Sequence, residues 1–311
     1  MRVLDTPWSQ WRLEAPVALT LGVYDGVHRG HQAVIEALAT HADGLPLAVF
    51  TFRGHPLELS APDHAPQLLT TYEQKLELLA EAGLDICAVP AFDMQLRTQS
   101  PTDFAAQVLV GRLAAKLLVV GSDFRFGYER AGDVDLLARL APDMGFDLVV
   151  VDLVGAGVPY SSSAIRKSLD AGEVDSAAVM LGRPFQLRAE VVPGDGRGRN
   201  IGVPTANLAV SARQATPRRG VYAARVPLDG EVHRAVVNIG IRPTFGGDTE
   251  VVEVHLLDYE ADLYGLELSV DFVKRIRAEQ RFDGAPALIE QIHRDIVEAR
   301  GLLDAAAPSE Q

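Results

Sequence analysis

The chain has 311 residues, enough for two domains, and 48% of them are hydrophobic, enough for well-filled cores. The net charge of −13 excludes a basic nucleic-acid platform, and both halves are acidic: 14 basic against 23 acidic residues up to Arg183, 15 against 19 beyond it. No apolar run reaches the ~18 residues of a membrane span, residues 1–11 do not read as a signal peptide, and the single cysteine, Cys87, excludes an internal disulfide and points to a cytoplasmic setting with the thiol buried.

In chain order, the first half alternates. Strand-like runs at 16–21, 45–52, 86–90, 116–121 and 147–151 are separated by helical periodicity over 30–42, 71–82, 100–113 and 132–143. This alternation predicts a parallel sheet covered on both faces, with ligands beyond the carboxyl ends of its strands. The first strand leads through Leu21-Gly22-Val23-Tyr24-Asp25-Gly26-Val27 into the tetrad His28-Arg29-Gly30-His31, at a strand-to-helix turn. Free backbone N–H groups and the helix dipole favour an anion there. Gly30 lets a phosphate approach the backbone, and two imidazoles can stabilise charge on it. Asp25-Gly26 also reads as a tight turn.

Three more polar segments sit at predicted strand ends: Thr51-Phe52-Arg53-Gly54-His55-Pro56, Gly121-Ser122-Asp123-Phe124-Arg125-Phe126-Gly127 and Tyr160-Ser161-Ser162-Ser163-Ala164-Ile165-Arg166. One serine suffices to cap a helix. The other hydroxyls and the forked donors of Arg166 are then available to phosphates. The four constellations are expected to converge on one crevice. Of only four lysines, none lies in a phosphate-binding G-x-x-x-x-G-K-[ST] loop.

After short helical stretches at 162–171 and 175–181, periodicity changes to two from 185 to 276, with turn signals at 194–196, 228–230 and 246–248. Repeated short strands predict a closed or nearly closed barrel. An amphipathic helix over 286–303 and a disordered tail from Asp304 end the chain, and the domain border falls near 182, giving domains 1–182 and 183–311. The run Gly194 to Gly202 imitates G-x-G-x-x-G, but Arg199 replaces the last glycine and no strand–turn–helix surrounds it, which excludes a dinucleotide fingerprint. It reads either as a flap closing over a polyphosphate with its backbone N–H groups or as a flexible hairpin. His293-Arg294-Asp295 spells the protein-kinase tripeptide inside the last helix, with no D-F-G, and reads as a coincidence on the helix surface.

Together G-x-[FY]-D-G-V-H-x-G-H, T-F-x-x-H-P, G-x-D-F-x-F-G and S-S-S-x-I-R resemble the adenylyltransferase module of the prokaryotic bifunctional riboflavin kinase/FMN adenylyltransferases, or FAD synthetases. Pro204-Thr205-Ala206-Asn207 resembles the signature of riboflavin kinases, and further likeness runs through Gly220-Val221-Tyr222, Asn238 to Phe245 and Val252 to Asp258, so that it covers roughly residues 15–300. The resemblance implies an N-terminal Rossmann-like nucleotidyltransferase domain and a C-terminal riboflavin-kinase-type β-barrel with a terminal helix, an α/β plus all-β protein. It implies two ATP-dependent reactions: riboflavin to FMN in the second domain, and FMN to FAD with release of pyrophosphate in the first.

By that likeness His28, His31 and Arg166 act on the ATP phosphates, with Gly22, Tyr24, Asp25, Gly30, Asp123, Ser162 and Ser163 seating the nucleotide and pyrophosphate. His55, Pro56 and Arg242 are candidates for flavin, Gly54 standing where similar proteins often carry proline. Gly196, Arg197, Gly198 and Gly202 would close over the second ATP. Thr205 and Asn207, two apart on an extended segment, share a face and offer the hard oxygens that suit Mg²⁺. Glu253 is the candidate general base for the riboflavin hydroxyl; His255 shares its face without an assigned role. The implied partners are riboflavin, FMN and ATP, without nucleic acid or membrane and with room for weak self-association. Two rivals stay open: a nucleotidyltransferase for another phosphorylated acceptor, and a non-catalytic flavin-binding protein.

Overall fold

The computed structural model describes every residue except 92–93, 195–197, 199–201, 245–246 and 307–311, with the backbone alone at 60, 243–244 and 247–249. The chain divides into two compact units, Met1–Ser162 and Ser163–Gln311.

In the first unit β1 (Arg2–Leu4), β2 (Val17–Leu21), β3 (Leu47–Phe50), β4 (Ile86–Ala88), β5 (Ala115–Gly121) and β6 (Asp147–Val151) form one sheet in the order β1-β4-β3-β2-β5-β6. Every pairing in it is parallel. The longest helices are α1 (Arg29–His41), α2 (Tyr72–Glu81) and α3 (Val134–Met144). All five residues of β2 are buried, as a strand covered on both faces requires. On one face Leu19, Phe50 and Leu118 pack with Trp8, Trp11, Phe104 and Leu137. On the other, Ala18, Val49 and Val119 pack with Ile35, Leu38 and Leu79. Cys87 lies in this second layer, fully buried, and burial pushes its thiol up to about 12.

Two elements depart from the sequence-based expectation. β1 pairs with β4 but has only three residues, too few to show a period. The helix expected over 100–113 is a single α-turn, Pro101–Phe104, that widens into a π-helical stretch, Ala105–Val110. There Gly111 N–H donates to the Ala106 carbonyl and Leu113 N–H to the Val108 carbonyl. The wider turn lets Ala105, Val108 and Leu109 all be fully buried.

The second unit carries α4 (Ser162–Ala171, but for its first residue) and α5 (Val174–Leu181), followed by β7 (Phe185–Val192), β8 (Ala206–Leu208), β9 (Gly220–Leu228), β10 (Glu231–Thr244), β11 (Gly247–Leu256) and β12 (Glu267–Arg277). The six strands close into a barrel in the order β10-β11-β8-β7-β12-β9, antiparallel throughout. Asp229 and Gly230, at φ 54° and 80°, make the two-residue turn between β9 and β10, the primed geometry that matches strand twist. α4 and α5 are fixed to the barrel: Arg218 N–H donates to the Leu169 carbonyl at 2.8 Å, and Lys274 pairs with Asp175 at 2.5 Å. The chain closes with α6 (Ala285–Ala305), whose Ala299 and Leu303 pack with Ala223 of β9. α6 runs two residues into the expected disordered tail, because Asp304 pairs with Arg234 at 3.0 Å.

Candidate active sites

β3, β2 and β5 are neighbours and parallel, so the loops after them, 51–56, 22–28 and 122–127, open on one edge of the sheet. The central loop is the tightest. Tyr24, Gly26 and Val27 all have positive φ, 53°, 81° and 39°. For the β-branched Val27 this is a strained conformation, which persists only where the surroundings over-determine it. The surroundings do so. The Asp25 carboxylate, 1% exposed, accepts from Leu69 N–H at 2.8 Å; Gly26 N–H donates to Thr70 Oγ1 at 3.4 Å; Ser162 Oγ donates to the Asp25 carbonyl and Gln32 Nε2 to the Val27 carbonyl, each at 2.9 Å.

The strained turn delivers His28 as the N-cap of α1, its Nδ1 accepting from His31 N–H at 3.4 Å. The two imidazoles stack at 3.6 Å between centroids, and the ring of Tyr24 packs on His31 at 4.7 Å. The Tyr24 hydroxyl is engaged with Thr20 Oγ1 at 2.7 Å. Burial holds His31 well below the ordinary imidazole range, and the charges of His28 and Lys75 push it further the same way. Its buried Nδ1 has no hydrogen-bond partner among the described residues. A Cβ at residue 30 would lie 3.1 Å from the His28 ring and from the Tyr160 carbonyl, so glycine allows this close approach. Gly22 likewise leaves room for the Tyr24 ring, 3.0 Å from where its Cβ would be.

Of the flanking candidates, Asp123 is exposed after β5. His55 is half-buried, its Nδ1 accepting from Leu57 N–H at 3.2 Å and its own N–H donating to Glu58 at 3.1 Å. Pro56 caps the short helix Leu57–Ser60. Gly54 makes room for that same Glu58 carboxylate, 2.8 Å from where a Cβ would lie. Ser163 and Arg166 lie on α4, within the second unit.

In the second unit a cavity of about 360 Å³ opens at the barrel and α6. Its polar lining includes Thr205, Asn207, Asn238, Arg242, Glu253 and His255; its apolar lining includes Val221, Phe282, Leu288 and Ile292. Asn238, Glu253 and Asn207 form one row across β10, β11 and β8. Asn238 Nδ2 and Arg242 Nη2 each donate to the Glu253 carboxylate at 3.4 Å, and Arg242 Nη2 reaches Asn207 Oδ1 at 3.2 Å. His255 Nδ1 donates to the Pro204 carbonyl at 2.7 Å and so fastens the segment that carries Thr205. Gly198 also lines the cavity, whereas Gly202, at φ 77°, is not among its lining residues. Gly196 and Arg197 lie outside the described residues.

Two residues of the sites carried no sequence signal. Lys75, on α2, is 1% exposed, and its Nζ donates to the Phe52 carbonyl at 2.6 Å and the Val23 carbonyl at 3.3 Å. Asp295 corrects the reading of His293-Arg294-Asp295 as a feature of the helix surface. It is 2% exposed, lines the cavity and takes a forked pair of bonds from Arg277 at 2.9 and 2.7 Å. Resemblance to the kinase tripeptide remains a coincidence, but the aspartate is an anchor.

A family model for FAD synthetase matches residues 12–164 and one for riboflavin kinase matches residues 181–303. The bifunctional riboflavin kinase/FMN adenylyltransferase of Escherichia coli (strain K12) is 42% identical to this chain over 300 residues, covering 94% of each. Those of Pseudomonas fluorescens and Bacillus subtilis (strain 168) are 40% and 36% identical, covering 93% and 92% of each chain. A crystal structure described as a macrolide-efflux protein from Streptococcus pneumoniae shares the fold, with a TM-score of 0.88 and 28% identity over 96% of this chain and 99% of that one.

Proposed function

The chain belongs to the bifunctional riboflavin kinase/FMN adenylyltransferase family, and from that premise we infer which of its residues carry the two reactions. The C-terminal domain phosphorylates riboflavin to FMN, and the N-terminal domain adenylylates FMN to FAD, each with ATP. Both rivals, another acceptor or a protein without activity, give way to the paired family matches.

For adenylylation, an FMN phosphate oxygen attacks the α-phosphorus of ATP while the bond to the β-phosphate breaks and pyrophosphate leaves. No enzyme nucleophile is needed, so the residues act by positioning and by stabilising charge. His28 and His31 meet the phosphates at the start of α1, where backbone N–H groups are unpaired by the helix. The depressed His31 is neutral in the empty site, and an arriving polyphosphate favours its protonation. Asp25, with its carboxylate on Leu69 N–H, acts by holding the loop rather than by touching ATP. Ser162, Ser163 and Arg166 hold the departing pyrophosphate, Gly22, Tyr24 and Gly30 shape the phosphate turn, and Asp123, His55 and Pro56 complete the nucleotide and flavin contacts.

For phosphorylation, the 5′-hydroxyl of riboflavin attacks the γ-phosphorus, its proton passes to Glu253, and ADP leaves. The observation that carries this assignment is Glu253 at the centre of the Asn207–Glu253–Asn238 row inside the cavity. Arg242 pairs with that carboxylate at 3.4 Å and stands at the flavin end. Mg²⁺ fits the donor set. Thr205 and Asn207 offer hydroxyl and amide oxygens, and glycine at 194 and 198 lets the backbone pass close beside both: a Cβ would lie 2.1 Å from the Asn207 amide nitrogen at 194 and 3.3 Å from Thr205 Oγ1 at 198. When bound, the ion neutralises charge on the ATP phosphates. We place the working border at 182/183, in keeping with the kinase match from 181, and the protein in the cytoplasm, in keeping with its one buried free thiol. The test is Glu253→Gln. FMN formation from riboflavin should fall by at least about a thousandfold while FMN-to-FAD conversion stays within twofold; equal loss of both reactions refutes the assignment.

A further inference from the structure

We infer that Lys75 is a positioning residue for FMN adenylylation: its ammonium group pins the ends of β2 and β3 so that the strained turn holds His28 and His31 stacked. This rests on the reading that those histidines serve the phosphates.

The geometry is specific. A lysine is almost never fully buried without a reason, because desolvating its charge is costly. Lys75 is 1% exposed, and both of its hydrogen bonds go to carbonyls at the carboxyl edge of the sheet, those of Val23 and Phe52. The Val23 carbonyl receives a second donor, Thr51 Oγ1, at 2.9 Å. Val23 immediately precedes Tyr24, the first of the three residues at positive φ. Lys75 also belongs to a continuous clamp: Leu69 N–H holds Asp25, Thr70 holds Gly26, Thr71 caps α2 through a capping box with Gln74, and Lys75 follows one turn later. Segment 69–75 thus grips the turn at Val23, Asp25 and Gly26. The loop takes its shape from another element, not from its own preference.

The ammonium also has an electrostatic consequence. Asp25 from the turn and Glu58 from the segment after β3 face Lys75 and favour its charge, against the burial that opposes it, and the buried Cys87 thiol of β4 lies on the same side. His31 is faced by His28, by Lys75 and by the Tyr24 ring. Burial and His28 do most to keep His31 neutral, and Lys75 adds to them while fixing where it stands.

The test compares Lys75→Met with the unsubstituted full-length chain. FMN adenylylation should lose about tenfold or more in kcat, as expected when a reacting group is displaced by a fraction of an ångström to an ångström, with little change in KM for ATP. The His31 resonance should titrate at higher pH by NMR, and Lys75→Arg should recover part of both effects. Riboflavin phosphorylation should not change. The only two tryptophans, Trp8 and Trp11, are buried in the first unit, so their emission reports its folding. If Lys75→Met exposes them, Lys75→Gln, which keeps a polar donor of similar length but no charge, replaces it with the same readouts. A kcat within twofold of the unsubstituted chain, or an unmoved His31 titration, overturns the inference. His31→Gln is measured alongside. Full adenylylation in that variant sinks the reading of the histidines, whereas its loss together with a normal Lys75→Met sinks the role of Lys75 alone.

Discussion

A histidine whose folded-state pKa lies below its unfolded value binds fewer protons when folded than when unfolded as pH drops through 6.5. Stability therefore rises with pH between the two values and is lost on acidification, by roughly 1.4 kcal/mol for each unit separating them. For His31 this predicts that the first unit, followed by tryptophan emission, unfolds more readily in denaturant at pH 5.5 than at pH 7. His31→Gln should flatten that dependence, and adding ATP should raise the His31 titration. At the second site the sensitive residue is Gly194. A methyl group there would overlap the Asn207 side chain, so Gly194→Ala should cut riboflavin phosphorylation by about tenfold to a hundredfold and spare adenylylation, as read from the two product formation rates. These residues were legible in the sequence because their types are unusual where they stand: paired histidines and glycine at a strand end, or Thr and Asn two apart in a distinctive tetrapeptide. Lys75 was not, because a lysine in an amphipathic helix reads as part of the solvent face, and only the fold shows that two carbonyls wait for it.

Among the secondary-structure elements, α6 has the most consequence for a site. Its periodicity marks it as amphipathic, and Leu288 and Ile292 line the cavity as that pattern requires. Asp295 breaks the pattern because its partner, Arg277, comes from the end of β12, a pairing no local rule reveals. Gln291 Nε2 adds a bond to the same carboxylate at 2.8 Å. Arg277→Met would strand a buried anion, at a cost of about 3–5 kcal/mol. It should lower the thermal midpoint of the second unit by far-UV circular dichroism and raise KM for riboflavin. Arg277→Met with Asp295→Leu should recover most of the stability, since neither charge then remains. Chain-order alternation located β2 to β6, and the period of two marked 185–276 as barrel without separating its strands. The three-residue β1 and the π-helical stretch were not legible, the first for lack of length, the second because it follows from how the helix packs on the sheet.

On the scale of the whole molecule, the FAD synthetase match ends at residue 164, beside the division of the compact units after Ser162, and the riboflavin kinase match begins only at 181. The stretch between the two matches holds most of α4 and α5, which are tied to β12 and to the segment before β9 by Lys274–Asp175 and by Arg218 N–H on Leu169. A chain of residues 163–311 should therefore melt at a higher temperature than one of residues 183–311, with both phosphorylating riboflavin. Equal midpoints would show that the two helices contribute nothing to the barrel.

The two halves also differ in what they leave open. In the barrel every strand has a neighbour on each side over at least part of its length, and the one-sided stretch, 240–244 with 247–251, is short. The parallel sheet ends at β1 and β6, and near β6 Val150, Leu153 and Val158 are well exposed. Aggregates formed on gentle heating should thus be stitched together through the nucleotidyltransferase half, with the kinase half carried along still folded and still turning over riboflavin.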